Sequence, residues 1–368
     1  MGEEATALVL ESPRRLELRS FPVPDVSTDD AVLRVDACGL CGTDHEQYTG
    51  HLPAMFAFVP GHETVGTIER IGSAAAERWG VGEGDRVAVE VFMSCRECDA
   101  CQAGSYQRCR RHGLGDMYGY IATDKPPTLW GGYATHQYLG PDSIVHKVPD
   151  GLDPVLATTF NPLGAGVRWG VTVPGTKAGD VVAVLGPGIR GLSALVAVKE
   201  AGAAFALVTG AGAHDAPRLD AARAFGADLA VDVRETDPSA ALKGATGGLA
   251  DVVIDVTAKA PDALAQALAL VRPGGTVVIA GTRGSADTPG FWPDLIVFKE
   301  IRILGALGVD APAYRDALAI LATGRYPFAD LPRRTAGLAG AAELIETMAG
   351  EREGPPPVHG VLVPADGL

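Results

Sequence analysis

Stretches in which apolar and polar residues alternate run through the first 150 residues of the chain. Examples are DAVLRVDACG at 30–39, ETVGTIERIG at 63–72 and GDRVAVEV at 84–91, and glycine, proline and aspartate separate such stretches. Alternation of this kind is typical of half-buried strands joined by turns. We therefore predict a β-rich domain over residues 1–152.

The pattern changes at about residue 153, where alanine-rich helical segments begin to alternate with short, continuously apolar runs. A strand that is buried on both faces has such an uninterrupted apolar run, and repeated βα units predict a doubly wound parallel sheet. We assign this α/β domain to residues 153–300 and expect residues 301–368 to return to the first domain. The predicted strands lie at 181–185, 204–208, 229–232, 251–255, 276–280 and 302–305.

Four cysteines follow the predicted strand at 84–91. Cys95, Cys98, Cys101 and Cys109 are separated by gaps of two, two and seven residues. Four thiolates at about 2.3 Å complete the tetrahedral shell of a structural zinc ion. Disulfide scaffolds are small and cysteine-dense, whereas this chain has six cysteines in 368 residues. The spacing therefore predicts a structural zinc lobe over residues 94–110.

A second group of metal-type residues lies upstream of this lobe. The segment DACGLCGTDHE places Cys41 in a glycine-rich turn, and VPGHETVG places His62 and Glu63 directly after another glycine. A catalytic zinc keeps three protein ligands and one open position, and thiolate, imidazole and carboxylate from separate loops form one such set. Beside an independent zinc lobe, the two segments favour a catalytic zinc site.

A glycine motif follows the apolar run at 181–185 and precedes a helical pattern. Glycines at G-x-G-x-x-G spacing between a strand and a helix are the fingerprint of dinucleotide binding, because they permit a tight turn and close approach of the pyrophosphate to the helix N-terminus. The residues expected to meet the coenzyme there are Gly186, Gly188, Ile189, Arg190 and Gly191.

With these three features, the chain resembles the zinc-dependent medium-chain alcohol dehydrogenase family over nearly its whole length. The resemblance also includes GGYATH at 131–136, the segment at 251–281 and FKEIRILGALG at 298–308. It implies an α/β architecture, with a GroES-like catalytic domain built from both ends of the chain and a Rossmann domain between them. It also implies hydride transfer between an alcohol, aldehyde or ketone and NAD(P), with one catalytic and one structural zinc per chain.

The resemblance assigns roles to residues of the first metal group. Cys41 and His62 match zinc ligands, Thr43 matches the hydroxyl that relays the alcohol proton, and Asp44 matches a carboxylate that orients a liganding imidazole. The identity of the third zinc ligand stays open. The family commonly has Glu, Asp or Cys where this chain has Asn161, a poorer ligand, so either Asn161 binds zinc weakly or Glu63 completes the shell.

Coenzyme choice depends on the end of the second Rossmann strand, in AFALVTGAGAHDAPR at 204–218. An acidic residue there would bind the adenosine ribose and repel a 2′-phosphate, but the expected position is Gly210. Arg218 and Arg190 are candidate phosphate partners, so the sequence leans toward NADP. The nearest acid, Asp215, would reverse this preference if the loop folded it back.

The charge balance restricts the partners. A formal net charge of −14 and a pI near 5.0 argue against binding to nucleic acid or to an anionic membrane surface. We expect a cytoplasmic location, because zinc thiolates suit a reducing compartment and residues 1–30 lack a continuous apolar segment. Family resemblance implies a homodimer or homotetramer, with the strand in IRILGALG as a candidate pairing edge.

The substrate class stays open. We expect the 114–130 loop to line the pocket through Tyr118, Tyr120 and Trp130, which favours an aromatic alcohol, whereas Glu46 near the zinc ligands favours a polyol. Two other readings of the chain are a zinc-free quinone or enone reductase of the same superfold and a catalytically impaired, zinc-stabilised coenzyme-binding protein.

Overall fold

The structure is a computed structural model that describes residues 3–258, 260–284 and 287–365. It divides into two units. The first comprises Met1–Asn161, Gly308–Gly324 and Phe328–Leu368, and the second comprises Pro162–Leu307 and Arg325–Pro327. The junctions therefore lie at residues 162 and 308, whereas the sequence pattern placed them at 153 and 301. Helices begin before the first junction, at Pro154–Ala157 and Phe160–Val167, whereas the sequence pattern assigned this helical texture to the second domain.

The described residues form fifteen strands and twelve α-helices. The strands are β1 (Glu4–Ser12), β2 (Arg15–Pro22), β3 (Ala31–Leu40), β4 (Glu63–Ile71), β5 (Arg86–Val89), β6 (His136–Leu139), β7 (Val145–Lys147), β8 (Val181–Leu185), β9 (Phe205–Gly210), β10 (Leu229–Asp232), β11 (Ala250–Asp255), β12 (Val271–Ile279), β13 (Arg302–Gly305), β14 (Arg333–Ala336) and β15 (His359–Leu362). The helices are α1 (Gly42–Thr49), α2 (Ser73–Trp79), α3 (Asp99–Gln102), α4 (Pro154–Ala157), α5 (Phe160–Val167), α6 (Ile189–Glu200), α7 (Ala216–Ala224), α8 (Pro238–Thr246), α9 (Ala263–Leu270), α10 (Asp294–Phe298), α11 (Ala311–Ala322) and α12 (Ala341–Met348).

The first unit is built on a seven-stranded sheet in the order β14-β15-β3-β4-β5-β7, with β6 also pairing with β3. Its pairs are antiparallel except for β14 with β15. Strands β14 and β15 come from the C-terminal part of the chain, so both ends of the chain build this unit. The side chains of its core, such as Leu33, Ile68 and Leu139, are almost completely buried.

The second unit contains a six-stranded, all-parallel sheet in the order β10-β9-β8-β11-β12-β13. This is the doubly wound order with a switch point beside β8, which confirms the predicted fold class. The predicted strands at 181–185, 229–232 and 302–305 have the same bounds in the structure. Strand β12 begins earlier than predicted, because Val271 pairs with Ala250 across a register shift.

Strand β13 lies at the edge of the parallel sheet, where one side of its backbone has no neighbouring strand within the described chain. Its side chains are half-buried or exposed. Across the described residues, no helix combines the length and the apolar character that crossing a membrane requires.

Candidate active site

Three of the predicted site residues lie at the start of α1, with Cys41 just before the helix and Thr43 and Asp44 in its first turn. Cys41 is the residue immediately before α1, and the backbone N–H of Cys41 donates to Asp44 Oδ2 at 2.7 Å. Thr43 Oγ1 lies 3.6 Å from Cys41 Sγ. An aspartate in the first helical turn satisfies a backbone donor at the N-terminus, so the local sequence fixes the direction of the cysteine side chain.

Strand pairing brings His62 and Glu63 to this turn. Glu63 is the first residue of β4 and pairs with Gly39 of β3, two residues before Cys41. The potential ligand atoms of Cys41, His62 and Glu63 all lie within 4.8 Å of one another. A sulfur, a nitrogen and a carboxylate oxygen so close together are the donor set of a catalytic zinc with one open position.

Charges around the cluster favour a bound cation. Asp44 Oδ1 lies 3.8 Å from His62 Nδ1, is buried and has no hydrogen-bond partner among the described residues. Burial lowers the pKa of His62, but the negative charges of Asp44, Cys41 and Glu63 outweigh it and raise this pKa to about 9. Burial raises the pKa of Asp44 to about 6. An acidic side chain behind an imidazole orients that imidazole toward a metal.

Asn161 lies within α5 and is buried. Its amide nitrogen donates to the Tyr314 hydroxyl at 3.1 Å. The nitrogen end of the amide is therefore occupied, and the amide oxygen is the atom through which Asn161 would approach a metal.

The four lobe cysteines also converge. Their sulfur atoms lie within 4.8 Å of one another, and Cys95 Sγ lies 3.7 Å from Cys101 Sγ. Sulfurs bound tetrahedrally to zinc lie about 3.8 Å apart, whereas disulfide-bonded sulfurs lie about 2.05 Å apart. Burial raises the pKa of Cys109, but backbone N–H groups lower it to about 6. Backbone N–H groups also lower the pKa of Cys98, whereas burial raises the pKa of Cys101 to about 11. The surroundings of Cys98 and Cys109 therefore stabilise the thiolate, the form that binds metal.

The glycine motif lies between β8 and α6 in the second unit, as predicted from the sequence. Gly186 has a φ of 101°, and Gly188 immediately precedes α6. A Cβ on Gly191 would lie 1.8 Å from the Gly186 carbonyl oxygen, whereas a Cβ on Gly188 would meet open space. Gly191 thus permits close packing of the turn, and Gly188 leaves room for a ligand at the helix N-terminus.

At the end of β9, the loop folds Asp215 back toward Gly210. A Cβ on Gly210 would lie 3.0 Å from Asp215 Cβ, and Asp215 Oδ2 accepts from the backbone N–H of Ala211 at 2.9 Å. Arg218 Nη1 lies 3.3 Å from Asp215 Oδ1, and the guanidinium of Arg190 lies 5.0 Å from the Trp169 ring centroid. The folded-back acid that the sequence left as an alternative is the arrangement found.

The predicted aromatic pocket lining is wrong for two of its three residues. Tyr118 is 1% exposed and bonds to Ser143, and Trp130 is 7% exposed and donates to the Lys125 carbonyl. Both belong to the core of the first unit, while Tyr120 packs at its margin. These rings therefore give no support to an aromatic substrate.

Sequence reasoning missed two buried residues beside the cluster. Tyr133 packs against Gly61, and burial together with the charge of Asp44 raises its pKa well above the ordinary value. His359 lies on β15 and is fully buried. GGYATH offered a weak signal for Tyr133. His359 had none, because only strand pairing brings β15 beside β3.

Comparisons with known proteins show the family to which the sequence belongs. Residues 27–150 match the family model of the alcohol dehydrogenase GroES-like domain, and residues 191–323 match that of the zinc-binding dehydrogenase. A probable alcohol dehydrogenase of Mycobacterium tuberculosis is 66% identical over 364 residues, which is 99% of both chains. The sorbitol dehydrogenase of Bacillus subtilis is 32% identical over 86% of both chains.

Solved structures of similar proteins support the same family assignment. An NADP-bound protein of Sinorhizobium meliloti, assigned as a zinc-binding dehydrogenase, is 29% identical and superposes with a TM-score of 0.83 over 98% of this chain and all of that one. The alcohol dehydrogenase of Thermus sp. ATN1 is 26% identical, with a TM-score of 0.82 over 97% of this chain and 99% of that one.

Proposed function

Since the chain belongs to the zinc-dependent medium-chain alcohol dehydrogenase family, we propose that Cys41, His62 and Glu63 hold its catalytic zinc. The protein is an oxidoreductase that transfers hydride between an alcohol, or its carbonyl product, and NAD(P). The observation that carries the site assignment is the convergence of the three ligand atoms within 4.8 Å. In this proposal the four lobe cysteines hold a second, structural zinc.

When bound, zinc supplies Lewis acidity to the oxygen of an alcohol or carbonyl group. The chain's own residues supply the rest. Asp44, at 3.8 Å from His62 Nδ1, fixes the imidazole orientation. Thr43 Oγ1, beside Cys41 Sγ, accepts the proton of the substrate hydroxyl during oxidation while its own hydroxyl proton passes on to water, and both transfers reverse during reduction.

The hydroxyl of Thr43 gives a test of this proton path. Thr43→Val should lower kcat/KM by about 10²- to 10⁴-fold, the usual contribution of a positioned proton-transfer group. Zinc content should not change, because Thr43 is not a ligand. Thr43→Ser keeps a hydroxyl and should retain most of the activity. Equal losses in the valine and serine variants would contradict the proton role.

We propose that the enzyme favours NADP even though Asp215 folds back, because both carboxylate oxygens of Asp215 are already engaged, one by the Ala211 N–H group and one by Arg218. Arg218 is the cation available to a 2′-phosphate, and Asp215 is the opposing charge, 3.3 Å away. The NADP in the Sinorhizobium meliloti structure supports this preference. The preference therefore depends on which member of the pair faces the adenosine ribose.

Two substitutions test the roles of Arg218 and Asp215 separately. Arg218→Ala should lower kcat/KM for NADP about tenfold, because it removes a charged hydrogen bond to phosphate, and leave that for NAD nearly unchanged. Asp215→Ala should raise the NADP to NAD ratio. If the parent enzyme prefers NAD and Asp215→Ala removes that preference, Asp215 is the ribose ligand and the assignment is wrong.

The proposal extends to substrate and assembly. Relatives include polyol enzymes such as the sorbitol dehydrogenase, and the buried positions of Tyr118 and Trp130 remove the argument for an aromatic alcohol. We therefore propose a small aliphatic or polyhydroxylated alcohol as substrate. A homodimer or homotetramer is proposed with β13 as the pairing edge, because an open strand edge has unpaired backbone groups.

A further inference from the structure

The ring of Tyr133 lies against the residue that precedes His62. The backbone N–H of Tyr133 donates to the Pro60 carbonyl at 2.9 Å, and its carbonyl accepts from the Leu8 N–H at 2.8 Å. A Cβ built on Gly61 would lie 2.4 Å from Tyr133 Cδ1, so the ring can lie there only because residue 61 has no side chain. Tyr133 is fully buried. These contacts fix the position of the ring beside the candidate zinc site.

The Tyr133 hydroxyl and the Asp44 carboxylate affect each other. Burial raises the pKa of Tyr133 well above its ordinary value, and the charge of Asp44 is the next largest cause. Burial raises the pKa of Asp44 to about 6, although the Tyr133 hydroxyl acts in the opposite direction. The two groups are therefore close, but the Tyr133 hydroxyl and Asp44 Oδ1 both lack a hydrogen bond within the part of the chain that the structure describes.

Asp44 is the acceptor that suits this hydroxyl. The other charges that raise the pKa of Tyr133 are those of Cys38, Glu63 and Cys41. Cys41 and Glu63 belong to the proposed ligand set, and burial raises the pKa of Cys38 so far that its thiol stays protonated. Asp44 Oδ2 accepts from the Cys41 N–H at 2.7 Å, which leaves Oδ1 for a second donor. A buried donor and a buried acceptor that are both unpaired call for an explanation.

We propose that Tyr133 is a positioning residue for His62, because its hydroxyl donates a hydrogen bond to Asp44 Oδ1 and Asp44 in turn orients the imidazole. The inference rests on the proposed function, in which His62 is a ligand of the catalytic zinc. An ionised carboxylate only accepts, so the hydroxyl hydrogen lies between the two oxygens. Three buried side chains, Tyr133, Asp44 and His62, then act in series.

A carboxylate that is bound through both oxygens has a fixed plane. Asp44 Oδ2 is held by the Cys41 N–H, and in this proposal the Tyr133 hydroxyl holds Oδ1. A carboxylate oxygen has two acceptor positions, so Oδ1 can also face His62 Nδ1, which lies 3.8 Å away. The imidazole then directs Nδ1–H toward Asp44 and leaves Nε2 for the metal. Loss of the Tyr133 hydroxyl should loosen this ligand without removing it.

Tyr133→Phe and Tyr118→Phe form the central comparison. Each substitution removes one hydroxyl and keeps a buried ring of the first unit, and the Tyr118 hydroxyl bonds to Ser143 Oγ at 2.6 Å. The readout is the rate at which catalytic zinc passes to a chromophoric chelator, with the lobe zinc counted separately. Tyr133→Phe should speed this release about tenfold, as expected when a group that orients a metal ligand is lost. Tyr118→Phe should stay close to the parent rate, and equal rates in the two variants would overturn the proposal.

The same substitution in an Asp44→Ala background shows whether Tyr133 acts through Asp44. The effect of Tyr133→Phe on zinc release should vanish there, because the acceptor of its hydrogen bond is gone. An undiminished effect would overturn the proposal and leave Tyr133 as a packing residue. Near-ultraviolet circular dichroism checks that each variant is folded.

Cobalt(II) in place of the catalytic zinc gives a second measurement that does not need the Asp44→Ala variant. Its visible absorption depends on ligand geometry, so Tyr133→Phe should shift the bands and Tyr118→Phe should not. An unchanged spectrum in Tyr133→Phe would contradict the proposal even if Asp44→Ala did not fold. If the parent protein holds no zinc that depends on Cys41, the proposed function itself fails. If it holds such zinc but Tyr133→Phe changes neither its release nor the cobalt spectrum, only this inference fails.

Discussion

Cys41→Ser should remove about one zinc per chain and abolish measurable alcohol oxidation. Zinc contributes several kcal/mol to stabilising developing negative charge, so its loss should lower kcat/KM by about 10³-fold or more. The thermal stability should change little, because the lobe zinc and the core remain. Metal analysis after dialysis, combined with coenzyme-linked assays, measures both effects. Full activity in a variant that lacks this zinc would contradict the assignment.

The third ligand can be identified in the same assay. Glu63→Gln should reduce occupancy of the catalytic zinc more than Asn161→Ala does, because a carboxylate neutralises the dication and an amide does not. Asn161→Ala instead removes a hydrogen bond to Tyr314 and should act mainly on stability. The reverse ranking of zinc occupancy would make Asn161 the third ligand.

Cys98→Ser in the lobe should cost about one zinc per chain and much of the stability. Structural zinc contributes directly to folding, and a loss of about 3 kcal/mol would lower the Tm by roughly 10 °C in a unit of this size. Differential scanning calorimetry and metal analysis test this directly. An unchanged Tm with unchanged zinc content would show that the cysteines do not hold a structural ion.

Cys38→Ala is the matched control for the lobe. Cys38 is fully buried, and burial raises the pKa of its thiol far above the ordinary value. It belongs to neither cysteine-containing metal cluster of the described residues. This variant should lose some packing energy but no zinc, so a zinc loss there would show that the metal assay reports unfolding rather than ligation.

A buried hydrogen bond links the zinc lobe to the core of the first unit, so unfolding of the lobe should destabilise that core. The Tyr106 hydroxyl, within the lobe, donates to Glu90 Oε2 at 2.6 Å, and His146 Nε2 lies 2.6 Å from Glu90 Oε1. Glu90 is 1% exposed, and burial raises its pKa. If the lobe unravelled, Glu90 would lose one of its two partners inside the core of the first unit, a costly change for a buried acid.

Features carried by short segments could be predicted from the sequence. The four cysteines of the lobe span fifteen residues, and the glycine motif follows its strand directly. In both cases chain geometry over a few residues brings the groups together, so spacing was sufficient. The βα alternation likewise predicted the parallel sheet, because each buried strand needs a continuous apolar run.

Groups that meet through strand pairing or loop folding were decided by the tertiary structure. The course of the β9–α7 loop places Asp215 beside Gly210, where its carboxylate pairs with the guanidinium of Arg218. Packing buried Tyr118 and Trp130, whose aromatic character alone suggested a pocket.

The same distinction applies around the candidate zinc site. Family resemblance predicted that Cys41 and His62 bind the same zinc ion. The position of Glu63 beside Gly39, however, is set by the register of β3 with β4. His359 reaches the site only because β15 pairs with the other side of β3. The sequence by itself determined the chemistry available at this site. Strand register decided which side chains meet there, because register depends on packing over the whole sheet rather than on neighbouring residues.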